Sequence, residues 1–532
     1  MKKSLVAKIV YLALVLCIVA STMALACSTA TPTATPAPKA TPTPAAKTTL
    51  TPQTGGTLVR PMTTSPTTAV GWPPEISNLA SQFVFSSLEW LVHEDANSVI
   101  QPWLATAWQV AQDRMSITFT LRKGVKFHDG TDWNAAAAKF NMDAYIEAKN
   151  SIAASWTSVD VVDDYTVRIN LSKWENTTYT DPQLFFVSPT AYKTNGKDYM
   201  RSHMVGTGAY KFVSYTRDVS MIFEKFDSYW QKGKPYLDGV KLVVMPDRMS
   251  QQLAFETGEV HTATLGGQQG LDLIAKGYQY ARSKASGQMV LLPDGSNAVS
   301  PWSNPKVREA AEYAIDREAL SKGVGRGFTI PAYQLAPEHP IGAIPNLEGR
   351  RYNVAKAKQL LTEAGYPSGF KTRIIPQPQT YNKDACLALQ GYWNAAGIVT
   401  EIDVPDEGRF TDYRFRSGWQ NGCMMVTEAV FSTYPKYFRF YFAGDQYNSI
   451  YWAPGFREAY NASLATPVQD ADTVRKVSRM IYDNVMVIPL YINQDCTFYR
   501  DGVHDLGQYV WGDSVQWSPQ DAWLEKKAVT SK

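Results

Sequence analysis

The segment Leu121–Asn141, LRKGVKFHDGTDWNAAAAKFN, decides the fold assignment of this chain. Just before it, Ile117 and Phe119 alternate with threonines, which predicts a half-buried strand that ends where the segment begins. Lys123–Gly124 predicts a turn, after which residues 125–127 are expected to resume the strand. The segment therefore opens with a strand, a turn and a second short strand.

A second turn and a helix follow within the same segment. Asp129–Gly130 is a strong turn signal, and Asn134 has a side chain that commonly caps helices. Phe140 and Ala144 then fall on one face of the predicted helix. Strand alternation returns at Tyr165–Leu171, so strands and helices share this part of the chain.

Three later segments have the residues that start and stop helices. Asn304–Gly323 begins with Asn-Pro and ends with glycine, which predicts one continuous helix. Asn353–Gly365 and Asp472–Asp483 show similar apolar spacing, and Val487–Ile492 is typical of a buried strand. Together with an opening strand at Gly55–Arg60, this mixture predicts an α/β or α+β body with several lobes.

Length and composition limit the classes of protein to consider. About 480 of the 532 residues follow the N-terminal region, which is too many for one core and favours two or three domains. Charged residues make up 19%, the net charge is +3, and no block of Lys or Arg occurs. The composition therefore gives no support to nucleic-acid binding.

The chain has five cysteines, and two of them lie in the N-terminal region at Cys17 and Cys27. The remaining Cys386, Cys423 and Cys496 are far apart and contain no CxxC pair, so neither a disulfide framework nor a zinc site is expected. Three buried free thiols are the prediction, and a single disulfide between two of them is the alternative.

The N-terminus has the pattern of a secretory signal peptide at residues 1–26. Three lysines among the first eight residues precede an apolar run at Ile9–Ala20, and small residues follow around Ala24. An uncleaved membrane anchor is the alternative, because the apolar residues continue to Ala26.

Ala24-Leu25-Ala26-Cys27 resembles the bacterial lipobox, in which a lipid is attached to the cysteine thiol after cleavage, although Ala24 stands where leucine is usual. The rest of residues 27–54 is rich in Thr, Pro and Ala and predicts a semi-extended tether. Lipidation of Cys27 would anchor the exported protein to the outer face of the cell membrane, in the periplasm or at the cell surface.

Several blocks, in this order, resemble the extracellular solute-binding proteins, family 5, of ABC importers. The resemblance extends over about residues 55–532 and includes the opening segment Leu121–Asn141. The further blocks are VGTGAYKFVSY, KFDSYWQKGKPYLDGV, NPKVREAAEYAIDREAL, YNVAKAKQLLTEAGYPSGF and RKVSRMIYDNVMVIPLYINQ.

This resemblance implies an α/β, two-lobed fold of the periplasmic-binding-protein type with a hinge. It is the type II, large peptide-binding-protein class, which has an extra small α+β domain on lobe one. The expected limits are residues 55–90, 205–295 and 496–532 for lobe one, 91–204 for the extra domain, and 296–495 for lobe two.

The resemblance also implies a binding function rather than a catalysed reaction. The two lobes close over an extracellular solute and deliver it to a membrane permease with its ATPase subunits; the protein is expected to be a monomer with no cofactor and no metal. A peptide is the default ligand, and an oligosaccharide or other polar solute is the alternative. The alternatives from other classes are a secreted lipoprotein hydrolase, for which neither a GxSxG nor an HExxH motif occurs, and a sensory or adhesive protein.

One region departs from the pattern of the peptide-binding members. Their strand at the hinge ends in tryptophan, and a following loop supplies an aspartate for the α-amine of the peptide. Here Thr427 takes the place of the tryptophan, and Thr433 and Lys436 stand where acids are expected. Glu428 is the candidate replacement if it faces the cleft, and a solvated loop charge is the alternative. The candidate cleft residues are Thr63, Thr64, Thr427, Glu428, Ser432, Thr433, Tyr434, Lys436 and Trp511.

Three other features resemble functional motifs but favour structural roles. His128–Asp129 is expected to form a turn rather than a catalytic or metal-binding pair. Gly206–Gly208 is expected to form a tight turn rather than an anion-binding nest. Arg317 is expected to form a structural ion pair within lobe two.

Overall fold

The computed structural model describes residues 50–94, 99–178, 184–283, 285–337, 339–428, 434–442, 447–506 and 519–526. Pro52–Lys532 forms one unit, to which all the elements below belong.

The described residues form 21 strands. They are β1 (Thr57–Met62), β2 (Val92–Glu94), β3 (Ile100–Pro102), β4 (Ala105–Val110), β5 (Ser116–Leu121), β6 (Trp156–Asp163), β7 (Thr166–Leu171), β8 (Tyr210–Thr216), β9 (Ser220–Lys225), β10 (Gly239–Val244), β11 (Thr262–Thr264), β12 (Gln279–Arg282), β13 (Gly287–Pro293), β14 (Thr329–Pro331), β15 (Phe370–Pro376), β16 (Ile398–Ile402), β17 (Cys423–Glu428), β18 (Ile488–Asn493), β19 (Cys496–Tyr499), β20 (Val503–His504) and β21 (Trp523–Leu524).

The described residues also form 13 α-helices. They are α1 (Asn78–Val84), α2 (Ala135–Glu147), α3 (Pro189–Ser202), α4 (Arg248–Thr257), α5 (Gly267–Ala275), α6 (Pro305–Tyr313), α7 (Arg317–Gly325), α8 (Val354–Glu363), α9 (Lys383–Ala396), α10 (Glu407–Asp412), α11 (Tyr434–Phe442), α12 (Phe456–Ala465) and α13 (Ala471–Asp483). Within the described ranges, none of the helices has both the length and the apolar character that crossing a membrane requires.

Four sheets of three or more strands organise these elements, and β2-β3 and β20-β21 form two-stranded pairs. One has the order β1-β10-β9-β8, a second has the order β4-β5-β7-β6, and a three-stranded sheet has the order β11-β19-β12. The largest is a mixed six-stranded sheet with the order β14-β18-β13-β17-β15-β16. Parallel pairing joins β1 to β10 and β15 to both β16 and β17, which is consistent with an α/β architecture.

The chain passes twice between the three-stranded and the six-stranded sheet. One passage lies between Arg282 and Gly287, and the other lies between Asn493 and Cys496. The two passages are joined by backbone hydrogen bonds, in which the N–H of Ser283 donates to the Asp495 carbonyl at 2.8 Å and that of Ser286 donates to the Asn493 carbonyl at 2.8 Å. The two sheets are therefore connected by two adjacent segments of the chain.

The opening segment adopts most of the predicted structure. Ile117 and Phe119 are buried on β5, and Asn134 caps α2 by accepting a hydrogen bond from the N–H of Ala137. The prediction that residues 125–127 resume a strand was wrong, because only a single bridge between Lys126 and Asp132 forms there. The two turns that bracket these residues leave too little extended chain for a ladder.

The helix predicted at Asn304–Gly323 is also corrected. Asn304 caps the start as expected, but α6 ends at Tyr313 and α7 begins only at Arg317. The side chain of Asp316 accepts a hydrogen bond from the N–H of Ala319 and starts the second helix. The break allows the side chain of Arg317 to enter the core, where its Nε donates to the Pro489 carbonyl at 2.7 Å.

Arg317 forms the predicted structural ion pair. Its Nη2 lies 3.3 Å from Oε1 of Glu312, and both side chains are almost fully buried. Arg350 completes the group, with Nη1 at 2.8 Å from Oε2 of Glu312. One carboxylate is therefore shared by two guanidinium groups inside the protein.

The three described cysteines, Cys386, Cys423 and Cys496, are buried and free, as predicted. Burial raises the pKa of Cys386 to about 12, so this thiol is protonated at neutral pH.

The glycines at Gly206 and Gly208 allow two backbone segments to approach closely. A Cβ atom on Gly206 would lie 2.0 Å from the Ser87 carbonyl oxygen, and one on Gly208 would lie 2.7 Å from that of Ser86. Neither glycine has a positive φ. The tight-turn prediction therefore gave the wrong reason for the glycines, which are required by contact with the preceding chain.

His128 lies in the predicted turn and has a structural role. The Gly208 carbonyl can only accept, so Nε2 of His128 donates the 2.9 Å hydrogen bond between them. Its Nδ1 is buried and has no hydrogen-bond partner among the residues that the structure describes. Burial lowers the pKa of His128 to about 4, which keeps the ring neutral at pH 7.

This neutral histidine predicts a loss of stability in mild acid. The unfolded chain protonates His128 near pH 6.5 and the folded chain only near pH 4. The stabilising contribution is complete above about pH 6.5 and is lost as the pH falls toward about 4, on the order of 3 kcal/mol. His128→Gln should melt at a lower temperature at pH 7 but should be less sensitive to pH between 6.5 and 4. Parallel melting curves of the two proteins would contradict this assignment.

Candidate functional site

A cavity of about 730 Å³ lies beside the two passages between the sheets. Its lining comes from the carboxyl end of β1, the starts of α4 and α5, the end of α7, both passages and the end of β17. This volume is within the range of about 300–1,000 Å³ that is usual for ligand pockets. The cavity is therefore large enough for a solute and is lined by residues of both the four-stranded and the six-stranded sheet.

The β1 wall of the cavity carries Arg60. Leu58, Arg60 and Met62 are all buried on this strand, with Arg60 only 8% exposed. His261 holds the strand in place through two hydrogen bonds. Its ring Nδ1 accepts from the backbone N–H of Val59 at 2.9 Å, and its backbone N–H donates to the Val59 carbonyl at 2.9 Å. Burial lowers the pKa of Arg60 to about 10, so the guanidinium is charged at neutral pH.

The passages contribute Ser286 and Asp495 to the lining. The backbone N–H of Asp495 donates to Oγ of Ser283 at 2.8 Å, which holds this residue at the crossing. Desolvation raises the pKa of Asp495, although a hydrogen bond from Ser286 and the charge of Arg248 both act to lower it. Asp495 is exposed, so its carboxyl group is accessible from the cavity.

The β17 wall carries Thr427, which was predicted as a cleft residue. Its backbone N–H donates to Oε1 of Gln377 at 3.2 Å, and it pairs with Met289 of β13. A Cβ atom on Gly287 would lie 3.1 Å from the Thr427 methyl group. The absence of a side chain at Gly287 therefore leaves room for Thr427 at the cavity wall.

Two of the predicted cleft residues, Thr63 and Thr427, line this one cavity from different sheets. Thr64 is exposed and does not belong to the lining. Glu428 is half-buried and outside the lining, and it accepts a hydrogen bond from the Tyr447 hydroxyl. The roles of these four residues in ligand binding stay predictions.

The other predicted residues fall where the structure gives no side-chain contacts. Ser432, Thr433, Trp511 and the lipidation candidate Cys27 lie outside the described residues. Tyr434 and Lys436 belong to the first turn of α11, but their side chains lie outside the description.

Arg60 and Asp495 were missed from the sequence. The signal for Arg60 was present, because it alternates with Leu58 and Met62 and a charge in a buried register is unusual. Asp495 follows the buried strand at Val487–Ile492 in a short polar run. The neighbouring sequence does not show that this run contacts the other passage between the sheets.

The lining suits a polar solute that carries charge. Besides Arg60, Arg248 and Asp495, it presents side-chain amides and hydroxyls that donate and accept hydrogen bonds. They are Thr63, Gln82, Gln251, Thr264, Gln269, Ser286, Thr329, Asn382, Thr427, Tyr491, Asn493 and Gln494. Within the described residues, no group of three His, Cys, Asp or Glu side chains is arranged to hold a metal ion.

Comparison with known proteins gives consistent results. Residues 99–448 match the family model described as bacterial extracellular solute-binding proteins, family 5 Middle. The glutathione-binding protein GsiB of Salmonella choleraesuis (strain SC-B67) is 33% identical over 348 residues, which cover 63% of this chain and 67% of that protein.

Solved structures agree in fold. The binding protein CtaP from Listeria monocytogenes aligns with a TM-score of 0.76 at 18% identity over 89% of this chain and 100% of its own. DppA from Helicobacter pylori, in complex with the peptide STSA, aligns with a TM-score of 0.72 at 22% identity over 89% of this chain and 99% of its own. These likenesses show the two-lobed fold of periplasmic binding proteins, and with the family match they show that this chain belongs to the bacterial extracellular solute-binding proteins of family 5, which bind solutes for import.

Proposed function

We propose that this protein captures a short peptide between two closing lobes and delivers it to the permease of an ABC importer. The observation that carries the proposal is the position of the cavity. It lies against both passages between the sheets and is lined from both sides. A solute held there contacts both lobes and stabilises the closed form by its differential affinity for that form.

The lobes follow from the same passages. The four-stranded sheet of β1 and the three-stranded sheet belong to lobe one, and the six-stranded sheet belongs to lobe two. The limits we propose are 55–90, 205–286 and 496–532 for lobe one, 91–204 for the extra domain and 287–495 for lobe two; the boundary expected at residue 295 moves to the passage because β13 (Gly287–Pro293) belongs to the six-stranded sheet. The passages at 282–287 and 493–496 act as the hinge, and the protein works as a monomer.

The ligand class rests on the relatives and on the lining. GsiB is named a glutathione-binding protein, and glutathione is a tripeptide. Amide and hydroxyl groups dominate the polar lining, and they match the peptide N–H and C=O groups of such a ligand. An oligosaccharide or another polar solute is the alternative, to be separated from a peptide by experiment.

A thermal-shift screen of the full chain tests this proposal. The probes are trialanine, glutathione, maltotriose and nickel–EDTA, each titrated separately. A probe at 100 times its dissociation constant should add about 2.7 kcal/mol to the free energy of unfolding and raise the melting temperature. We expect a shift with the peptides. A shift with maltotriose alone would replace the peptide by a sugar as ligand.

We also propose that Cys27 is lipidated after cleavage of residues 1–26 and that residues 27–54 tether the body to the membrane. The lipobox-like sequence and the Thr/Pro/Ala-rich stretch support this proposal. A tether keeps the receptor at a high effective concentration near its permease.

Cys27→Ala tests the anchor. The wild-type protein should partition into the detergent phase and sediment with membranes, whereas Cys27→Ala should not acquire lipid. The variant should be released or should retain its signal sequence, and intact-mass measurement distinguishes these products. Cys17→Ala is the matched control and should remain lipidated. Equal detergent partitioning and an unmodified mass for wild-type Cys27 would contradict the proposal.

A further inference from the structure

The hinge region contains three pairs of facing strands, although the chain passes through it only twice. In lobe two, β18 lies between β13 and β14, and in lobe one, β19 lies between β12 and β11. The chain runs from β12 into β13 and from β18 into β19. The third pair has no covalent connection, because β14 follows α7 and β11 precedes α5. This pair lies beside the second passage, on the side away from the first.

Phe328 connects the third pair of strands through its side chain. It directly precedes β14, and its carbonyl accepts a hydrogen bond from the backbone N–H of Gln494 in the second passage at 2.9 Å. Its ring is only 6% exposed and packs into a buried cluster that includes Leu265 and Phe498. The other buried side chains described in this cluster all belong to lobe one on the limits proposed above. Phe328 therefore carries an apolar contact from lobe two into the core of lobe one.

Two glycines of lobe one make room for this ring. A Cβ atom on Gly270 of α5 would lie 2.4 Å from Cζ of Phe328, well inside the separation of about 3.5–4.0 Å at which carbon atoms pack. A Cβ atom on Gly266 would lie 3.8 Å from Cγ of the ring, in ordinary contact. Glycine is unfavourable inside a helix, and at Gly270 it admits a side chain from the other lobe.

Arg282 attaches the same loop to lobe one. It is the last residue of β12, ahead of the first passage. Its Nη1 donates to the Gly327 carbonyl at 2.8 Å, and its guanidinium carbon lies 5.5 Å from the centre of the Phe328 ring. A cation at this distance is attracted to the face of an aromatic ring. The loop before β14 is therefore held to lobe one by a hydrogen bond as well as by packing.

A hinge made of two adjacent segments can bend, and it can also twist along its length. A further contact beside the two segments widens the hinge and opposes the twist. We propose that Phe328, packed against Gly270, is a third, non-covalent crossing point of the hinge, which opposes twisting and confines the lobes to one axis of closure. This inference rests on the proposed closing of two lobes. Closure about one axis brings Thr63 and Thr427 to the same relative positions each time.

Hydrogen exchange of the free full chain tests this inference without any ligand. The backbone N–H groups of Ser283, Ser286 and Gln494 are hydrogen-bonded in or beside the passages, and twisting of the hinge exposes them to solvent. Phe328→Ala should speed the exchange of these amides about tenfold and should increase the radius of gyration measured by small-angle scattering. Phe328→Leu keeps most of the apolar bulk and should recover part of both changes.

Two matched controls separate the hinge contact from ordinary packing. Phe255 is fully buried in the same cluster but belongs to lobe one, so Phe255→Ala should lower the melting temperature and leave passage exchange and the radius of gyration unchanged. Gly270→Ala places a methyl group where the ring lies and should reproduce the effect of Phe328→Ala. Gly391→Ala is its control, because a Cβ atom at this helical glycine meets nothing within 4 Å.

The outcomes separate the inference from the function on which it rests. Exchange and scattering of Phe328→Ala equal to those of the wild type would overturn the inference, and so would changes no larger than those of Phe255→Ala. Peptide capture is tested separately by the probes of the thermal-shift screen. If none of those probes binds, the peptide proposal fails, whereas faster passage exchange in Phe328→Ala still supports the third crossing point.

Discussion

Glu312→Gln should destabilise the protein by about 3–5 kcal/mol, the largest effect that we expect from a single substitution. The substitution keeps the shape of the side chain but removes the charge that Arg317 and Arg350 share. Arg317 has a fully buried side chain and Arg350 is 11% exposed, so neither can recover its solvation by turning to water. Removing one partner of a buried ion pair leaves uncompensated charge, and that costs this much in comparable cases.

Glu309→Gln is the matched control for this prediction. Glu309 also contacts Arg350, with Oε1 at 3.6 Å from Nε, but its side chain is 33% exposed. We expect a loss below about 1 kcal/mol there. Denaturant unfolding followed by tryptophan fluorescence reports on this region, because Trp302 and Trp393 lie in the core next to α6. If Glu312→Gln and Glu309→Gln lose the same free energy of unfolding, the carboxylate shared by the two arginines contributes no additional stability.

The same region shows why sequence predicted some elements and not others. Asn304 starts α6 by a purely local contact, and this start was predicted correctly. The break before Arg317 was missed, because Ala314 and Ile315 continue the apolar spacing and are buried as a helix would bury them. The second helix begins at Arg317, whose side chain donates to the carbonyl of Pro489 on a strand more than 170 residues later, and the local sequence does not reveal this contact.

The candidate site divides in the same way. Thr63 and Thr427 were predicted from a resemblance that aligns them with hinge and strand positions, and both line the cavity. Asp495 could not be predicted, because its position depends on the pairing of two passages more than 200 residues apart in sequence. The local sequence pattern predicts the strand before Asp495, but it does not predict the contact between the two passages.

Asn176→Ala should weaken peptide binding roughly a hundredfold, although Asn176 does not line the cavity. Its backbone N–H donates to the Leu464 carbonyl at 2.9 Å, and its Nδ2 donates to the Ser463 carbonyl at 2.7 Å and to Oγ1 of Thr466 at 2.9 Å. Asn176 is only 2% exposed. Losing the two side-chain bonds from a buried site should cost about 3 kcal/mol.

The effect should reach the ligand because these bonds join the proposed extra domain to the proposed lobe two. Trp174 and Arg114 add two more, from Nε1 to the Thr466 carbonyl at 2.9 Å and from Nη1 to the Ala465 carbonyl at 2.6 Å. All the acceptors lie at the end of α12, where helix carbonyls lack partners of their own. The donors belong to the proposed extra domain, and α12 belongs to the proposed lobe two. On these proposed limits we expect opening of the lobes to break these bonds and closing to form them.

Asn176→Ala removes about 3 kcal/mol of stabilisation from the closed form. Ligand binding must make up this free energy, so the apparent affinity falls by the same amount. Calorimetry with trialanine and glutathione measures this change, and small-angle scattering of the free and peptide-saturated protein measures the degree of closure. Asn170→Ala is the control, because the side-chain amide of Asn170 donates to Ser158 and Asp160 within its own sheet. Unchanged affinity and unchanged scattering in Asn176→Ala would mean that the contact between the extra domain and α12 persists when the cleft opens, and that the two move as one body.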